Sequence, residues 1–186
     1  MNLLSKSLSR IAASAALGGL AALVHAASPM IVVSESFMDG GSVPKIFGGD
    51  APNCGGKGIS PQIAWKQLPE GAKSVAVLMS DPDGTKGLGT SHWVVYNIPA
   101  SKGQLLQGEG ASPVGSITIG KNVAGATAYR GMCPPAGDRP HHYVLSVIAS
   151  DLEPGDLPPG LTRDELLTKL AGHALGGQSI VGLYGQ

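Results

Sequence analysis

The sequence predicts a mainly β fold, built from antiparallel strands with one helix near the C-terminus. Short apolar runs alternate with loops rich in glycine and proline, and the chain holds 28 glycines and 14 prolines. Only 14% of the residues are charged, whereas a disordered chain would carry more charge. Many strands joined by tight turns account for this composition.

The first 26 residues have the pattern of a secretory signal peptide. Lys6 and Arg10 are their only charges, an apolar run follows, and Val24 and Ala26 precede the expected cut. The apolar run is shorter than the roughly 20 residues of a spanning helix, which favours cleavage over an uncleaved anchor. We therefore expect a signal peptide at 1–26, a single domain at 27–186 without a transmembrane segment, and a periplasmic or secreted protein.

The charge balance argues against a nucleic-acid partner. The 13 basic residues equal the 13 acidic ones, and cleavage of the signal peptide would remove two of the basic residues. The mature chain would then be slightly acidic, whereas nucleic-acid binding needs a basic surface.

The apolar runs predict the strands in order. Residues 48–61 form a long loop that carries Cys54, and residues 44–47 form a short extended piece. The predicted strands are 30–37, 63–65, 75–79, 93–98, 117–119, 141–149 and 180–184.

The helix is predicted from its first turn. Thr162 and Glu165 have the spacing of a capping box, in which each side chain bonds the other residue's backbone amide. Glycines at 176–177 are expected to end the helix. Its apolar face is predicted to consist of Leu166, Leu167, Leu170, Ala171 and Ala174.

The two central strands place polar residues at one rim. Asp81, Pro82 and Asp83 end the first strand, and His92 opens the second. Proline cannot donate to a sheet, so both carboxylates should lie where the strand stops. Two acids and an imidazole above an apolar floor suggest a binding site. The alternatives are ordinary turn chemistry for the aspartates and a satisfied core position for the histidine.

A second polar stretch, 129–143, contains paired prolines and paired histidines. Pro134 and Pro135 are consistent with a rigid loop, and His141 and His142 precede the next strand. Either pair could belong to a site, or the loop could simply be stiff and the histidines exposed.

Cys54 and Cys133 are the only cysteines of the chain. In an exported protein an isolated pair favours a disulfide, and two separate buried thiols are the alternative. Neither belongs to a C-x-x-C pair, which gives little support to a zinc site.

Four segments in order resemble the phosphatidylethanolamine-binding protein family, also called Raf kinase inhibitor-like proteins, in its bacterial branch. They are S-P-Q-I-A-W at 60–65, P-E-G-A-K-S-V-A-V-L-M-S-D-P-D at 69–83, H-W-V-V-Y-N-I-P at 92–99 and Y-R-G-M-C-P-P-A-G-D-R-P-H-H-Y at 129–143. The resemblance implies two packed antiparallel sheets and a small cavity for phosphate esters or phospholipid head groups. It implies no metal and no cofactor.

Carried over by motif, the resemblance assigns the cavity to eight residues: Asp81, Pro82, Asp83, His92, Pro134, Pro135, His141 and Tyr143. His142 stands where the family often has arginine, so a permanent cation is missing there. A carboxylate does not attract phosphate, so we expect Asp81 and Asp83 to orient His92 or His141, or to receive an ammonium or hydroxyl group of the ligand.

The function predicted is a non-catalytic binding protein for a small anionic ligand. One alternative is a metal-dependent phosphoester hydrolase that uses the Asp and His residues, although no H-x-x-x-H or similar compact ligand pair is present. A serine hydrolase has less support, because the sequence has no G-x-S-x-G motif. Another is a protein-interaction module that inhibits a kinase or protease. A protein partner and a homodimer are both compatible with the sequence.

Overall fold

The computed structural model describes residues 29–186, so the predicted signal peptide at 1–26 lies outside the described residues. Eight strands form two antiparallel sheets that pack against each other, which confirms the predicted fold class. One sheet has the order β1-β2-β5 and the other the order β6-β4-β3-β7-β8. The strands are β1 (Ile31–Val33), β2 (Ile63–Lys66), β3 (Ser74–Asp81), β4 (Thr90–Pro99), β5 (Gln104–Leu105), β6 (Thr118–Ile119), β7 (His141–Ser150) and β8 (Ala174–Tyr184).

Strand β3 is the centre of the larger sheet and is apolar on both faces. One face, with Val77 and Met79, packs into the core between the sheets. The other face, with Leu78, packs beneath helix α1 (Arg163–Leu170) in a second apolar cluster. A strand covered on both sides reads as a continuous apolar run rather than an alternating one, which is why 75–79 was recognisable in the sequence.

Helix α1 begins as predicted but ends earlier. The Thr162 hydroxyl accepts from the Glu165 amide, and the Glu165 carboxylate accepts from the Thr162 amide. The predicted apolar face is wrong beyond Leu170, because Ala174 begins β8 and the glycines at 176–177 lie within that strand. The predicted last strand, 180–184, is the second half of β8.

Pairing with β7 explains the longer final strand. Strand β7 pairs with β3 on one side. On its other side it pairs with β8, from Ser150↔Ala174 to His141↔Tyr184. This non-local pairing satisfies more backbone groups than two further helical residues would, and it cannot be seen in a local pattern.

Two N-terminal predictions also need correction. Of the strand predicted at 30–37, only β1 is formed. Beyond β1, the Glu35 amide donates to the Gln62 side-chain oxygen at 2.7 Å instead of to a neighbouring strand. The piece predicted to be extended at 44–47 contains a 3₁₀ turn, Lys45–Phe47. Burial of Phe47, which is 2% exposed, accompanies this turn.

The predicted disulfide between Cys54 and Cys133 is present. It joins the loop 48–61 to the segment that precedes Pro134. The Gly49 amide donates to the Met132 carbonyl at 2.8 Å beside it. A Cβ on Gly131 would lie 2.5 Å from the Gly49 nitrogen, so the two backbones approach too closely for a side chain there.

Across residues 29–186, no helix has both the length and the apolar character that crossing a membrane requires.

Candidate functional site

A cavity of about 330 Å³ lies at the rim of the larger sheet, where β3 ends. Antiparallel pairing brings the rim together, because Asp81 faces Thr90 at the start of β4 and Ser80 faces Val144 near the start of β7. Its lining residues are Asp81, Gly84, Thr85, Thr90, His92, Val123, Arg130, Gly131, Cys133, Pro135 and Tyr143.

Four of the eight predicted ligand-binding residues line this cavity: Asp81, His92, Pro135 and Tyr143. His141 and Asp83 line a neighbouring cavity of about 420 Å³ together with Lys86, Asp138 and Arg139. Pro82 is exposed and borders a third hollow, and Pro134 is buried behind the rim. The predicted residues therefore converge on one rim but divide between adjacent cavities.

Asp81 is buried with its charge compensated on both oxygens. Its side chain Oδ1 accepts from the amides of Asp83 and Gly84 at 2.9 and 3.0 Å. Its Oδ2 lies 2.8 Å from Nδ1 of His141. The carboxylate thus shapes the turn and orients His141, which is one of the two histidines that the sequence analysis expected the acids to orient.

His141 is set to carry a positive charge. Burial alone would lower its pKa, but the hydrogen bond and charge of Asp81, followed by the charge of Asp83 and a contact with Asp138, raise the pKa above the ordinary 6.5. The His141 Nε2 lies 3.6 Å from the Asp138 carboxylate. Asp81 therefore stabilises the imidazolium form of His141 relative to that of a free histidine.

His92 has the opposite character. Its Nδ1 lies 2.9 Å from the Arg130 carbonyl, and its ring packs edge-on against Tyr143 with centroids 5.2 Å apart. Desolvation lowers the pKa of His92 below 6.5, although the Arg130 carbonyl opposes the shift. Since a carbonyl can only accept, Nδ1 carries the proton and Nε2 remains an acceptor. His92 is thus a neutral acceptor near neutral pH rather than a cation.

Asp83 orients His142, not His92 or His141. Its Oδ2 accepts from both the backbone amide and Nδ1 of His142, each at 2.8 Å, and these two bonds lower the pKa of Asp83. Successive residues of a strand point to opposite faces, so at the start of β7 His141 reaches Asp81 while His142 reaches Asp83. This alternation divides the two acids between the two histidines.

Arg130 is a lining residue that the sequence reasoning missed. Its amide donates to the His92 carbonyl at 2.9 Å, its side chain is exposed, and within residues 29–186 it forms no ion pair. It supplies a permanent cation at the cavity, although position 142 lacks the arginine common in the family. The sequence signal for it is the arginine of Tyr-Arg-Gly at 129–131, which opens the fourth matched segment.

Two C-terminal residues, Tyr184 and Gln186, contact residues that form the rim. The Gln186 side-chain amide donates to the Pro134 carbonyl, which holds the double-proline loop. Tyr184 lies behind Tyr143, with ring centroids 6.3 Å apart. Burial and the charge of Asp81 raise the pKa of Tyr143, so its phenol stays protonated over the physiological range.

Known proteins with similar sequences and structures fit this architecture. Residues 33–185 match the sequence profile described as phosphatidylethanolamine-binding protein. The chain belongs to the phosphatidylethanolamine-binding protein family. A UPF0098 protein of Aquifex aeolicus is 42% identical to it over 156 residues, which cover 83% of this chain and 88% of that one.

Two further relatives place the chain in the bacterial branch of the phosphatidylethanolamine-binding protein family. The crystal structure of Escherichia coli YbcL, described as a new member of the mammalian PEBP family, superposes with a TM-score of 0.77 at 30% identity and covers 86% of this chain and 99% of that one. A Mycobacterium tuberculosis protein whose name describes it as a lipoprotein, LppC, is 33% identical over 159 residues, which cover 86% of this chain and 74% of that one.

The pKa values of the two site histidines should be shifted in opposite directions from the ordinary value of 6.5. We expect the pKa of His141 above that value, because Asp81 stabilises its charge, and the pKa of His92 below it, because burial opposes its charge. Nitrogen-15 NMR over a pH series would measure both values and the tautomer of each ring. The reverse order, or a His92 ring with its proton on Nε2, would contradict the assignment.

Proposed function

We propose that this member of the phosphatidylethanolamine-binding protein family is an exported, non-catalytic protein that binds a phosphate ester or phospholipid head group at the rim. The observation that carries the proposal is the position of Arg130, a cation without an acidic partner among residues 29–186, beside the neutral acceptor His92. This pair suits a ligand that joins an anion to a hydrogen-bond donor.

Each group has a distinct role in the proposed complex. The Arg130 guanidinium would bond the phosphate oxygens, a geometry in which arginine can donate two parallel hydrogen bonds. His92 Nε2 would accept a hydrogen bond from a hydroxyl or ammonium group of the ligand. Asp81 would hold the turn and His141 rather than touch the phosphate, because both of its oxygens are already bonded.

Two observations support export. The disulfide between Cys54 and Cys133 suits an oxidising compartment, and a relative carries the name of a lipoprotein. Both agree with the signal peptide predicted from residues 1–26.

Ligand binding should weaken as the pH rises through the raised pKa of His141. Deprotonation of His141 removes a positive charge from the rim, so the rim becomes less favourable to an anion. Calorimetric titration between pH 5 and 8 with glycerophosphoethanolamine, a phosphodiester whose own charge is constant over that range, would measure the effect. A constant affinity over that range would contradict a role for His141.

A thermal-shift screen with inorganic phosphate, O-phosphoethanolamine and glycerophosphoethanolamine tests the function itself. A ligand at a hundred times its dissociation constant should stabilise the protein by about 2.7 kcal/mol. Arg130→Gln and His92→Ala should each remove most of the shift. Arg163→Gln is the matched control, because it deletes an arginine that pairs with Asp164 on α1 and should keep the full shift.

Equal shifts in Arg130→Gln and Arg163→Gln would contradict the proposed site, and no shift with any of the phosphate compounds would contradict the ligand class.

The hydrolase alternative receives no support from the geometry, because residues 29–186 contain no group of three or more His, Cys, Asp or Glu residues placed to hold a metal. A protein target would instead be detected by pull-down without added ligand.

A further inference from the structure

A third cavity adjoins the rim cavity on the side of helix α1. It has a volume of about 520 Å³ and shares three lining residues, Asp81, Thr90 and Val123, with the rim cavity. Successive residues of a strand point to opposite faces, so at the start of β4 Ser91 lines the third cavity while His92 lines the rim cavity. A ligand held at the rim can therefore extend into this second space, which we call the α1 cavity.

Two exposed aliphatic side chains border the α1 cavity. Leu88 is 86% exposed and Val123 is 53% exposed. The Val123 amide donates to the Ser91 carbonyl at 2.8 Å, which fixes its segment against β4. Exposed aliphatic residues beside a polar rim are typical of sites that bind a partly apolar ligand.

The α1 cavity also has a cation without an acidic partner. Of the acids in its lining, Asp81 is bonded on both oxygens, and Asp164 pairs with Arg163 at 3.0 Å. Lys121 lines the same cavity and forms no ion pair within the described part of the chain. Its ammonium group is therefore available to an acceptor of the ligand, such as a carbonyl oxygen.

The other two cavities beside the rim do not suit a hydrocarbon chain. The cavity of about 420 Å³ that contains His141 is lined by five ionisable residues and one glycine. A cavity of about 540 Å³ beside the disulfide is lined mainly by glycine, alanine and polar residues. Neither lining contains a leucine, isoleucine or valine, so an apolar part of the ligand has one place to go.

We propose that the rim ligand is a lysophospholipid, a glycerophosphate ester with a single fatty-acyl chain, and that this chain lies in the α1 cavity. The inference rests on the proposed function, since the phosphate of the same ligand is placed at Arg130. The chain would cover Leu88 and Val123, and Lys121 would donate to the ester carbonyl. One apolar cavity holds one chain, so a second chain would stay in water and add little affinity.

The affinity contributed by the chain tests the proposal. Calorimetric titration would compare glycerophosphoethanolamine, 1-hexanoyl-lysophosphatidylethanolamine and dihexanoylphosphatidylethanolamine, each at concentrations at which it forms no micelles. Because each buried methylene strengthens binding roughly fourfold, the one-chain compound should bind at least about tenfold more tightly than glycerophosphoethanolamine. The two-chain compound should bind about as tightly as the one-chain compound.

Two substitutions in the α1 cavity should reduce this gain. Leu88→Asn replaces the exposed leucine by a polar side chain of similar length, and Lys121→Gln removes the cation. Neither residue lines the rim cavity, so both variants should bind glycerophosphoethanolamine as the unmodified protein does. Leu88→Asn should weaken binding of the one-chain compound at least roughly fourfold, the contribution of one methylene.

The matched controls are Leu106→Asn and Lys169→Gln. Leu106 is 56% exposed, Lys169 is exposed on α1, and neither lines any of the four cavities described above. Both variants make the same exchanges away from the α1 cavity and should keep the whole gain from the chain.

The outcomes separate this proposal from the function on which it rests. Binding of glycerophosphoethanolamine with no gain from the hexanoyl chain would overturn the lysophospholipid and leave the head-group site intact. A gain that is unchanged in Leu88→Asn, or a second chain that adds a further tenfold, would also overturn it. Failure of all three compounds to bind would contradict the head-group site itself.

Discussion

Replacing both Cys54 and Cys133 with serine should lower the free energy of unfolding by about 4 to 5 kcal/mol. The disulfide spans 79 residues of sequence, and the chain-entropy model gives a loss of this size when a loop of that length is released in the unfolded state. For a domain of about 150 residues the melting temperature should fall by roughly 10 to 15 °C.

Thermal unfolding with and without a reductant would measure this effect. Reductant should lower the melting temperature of the unmodified protein and leave the double-serine variant unchanged, so the variant serves as its own control. Cys133 also lines the rim cavity beside Pro135, so the thermal shift produced by O-phosphoethanolamine should decrease in the same variant. Equal stability of the two proteins would contradict a stabilising role for the disulfide.

Asp81→Ala should be the most damaging single substitution at the rim. Removing one partner of a buried charged pair costs about 3 to 5 kcal/mol, because the other partner stays buried without compensation. Here the substitution would leave His141 without its partner, and the amides of Asp83 and Gly84 would lose their acceptor. Urea unfolding at pH 6 would measure the loss.

Asp81→Asn and Asp164→Ala are the informative controls. The asparagine keeps an acceptor for the two amides and removes only the charge, so it should destabilise less than alanine. Asp164 is an exposed acid in the first turn of α1, and its loss should cost no more than about 1 kcal/mol. Equal effects of Asp81→Ala and Asp164→Ala would contradict the buried pair.

The pH dependence of Asp81→Asn provides a further check on the same pair. A histidine whose folded pKa is raised contributes stability that is fully present below 6.5 and is lost as the pH rises through the folded value. The stability difference between the unmodified protein and Asp81→Asn should therefore be larger at pH 6 than at pH 8. A difference that grew with pH would show that Asp81 does not hold the charge of His141.

Local patterns predicted the parts of the fold that depend on neighbouring residues. The continuous apolar run 75–79 identified β3, because a strand covered on both faces needs no polar alternation. Thr162 and Glu165 located the start of α1, because a capping box is complete within one turn. The family resemblance added the second sheet.

The errors lie where distant segments decide the structure. The local pattern places Ala174 and the glycines at 176–177 at the end of the helix, yet they belong to β8 because they pair with β7. Residues 34–37 leave the sheet, and the Glu35 amide donates to the Gln62 side chain rather than to a neighbouring strand. Neither partner is visible in a sequence window around the affected residues.

The candidate site shows the same division. Sequence motifs selected Asp81, His92 and Tyr143, and all three line one cavity. They left open whether an acid orients His92 or His141, and they did not indicate that His92 is bonded to a carbonyl instead. Nor did they indicate that Arg130 supplies a cation at the rim.

The amino-acid sequence by itself determined the strand pattern, the helix start, the two cysteines and the motifs that meet at the rim, because each depends on residue type and short spacing. Only the tertiary structure decided which acid orients which histidine and which cavities adjoin at the rim. Hydrogen-bond partners and burial set the charge of each histidine, and both come from segments brought together by folding rather than by proximity in the chain.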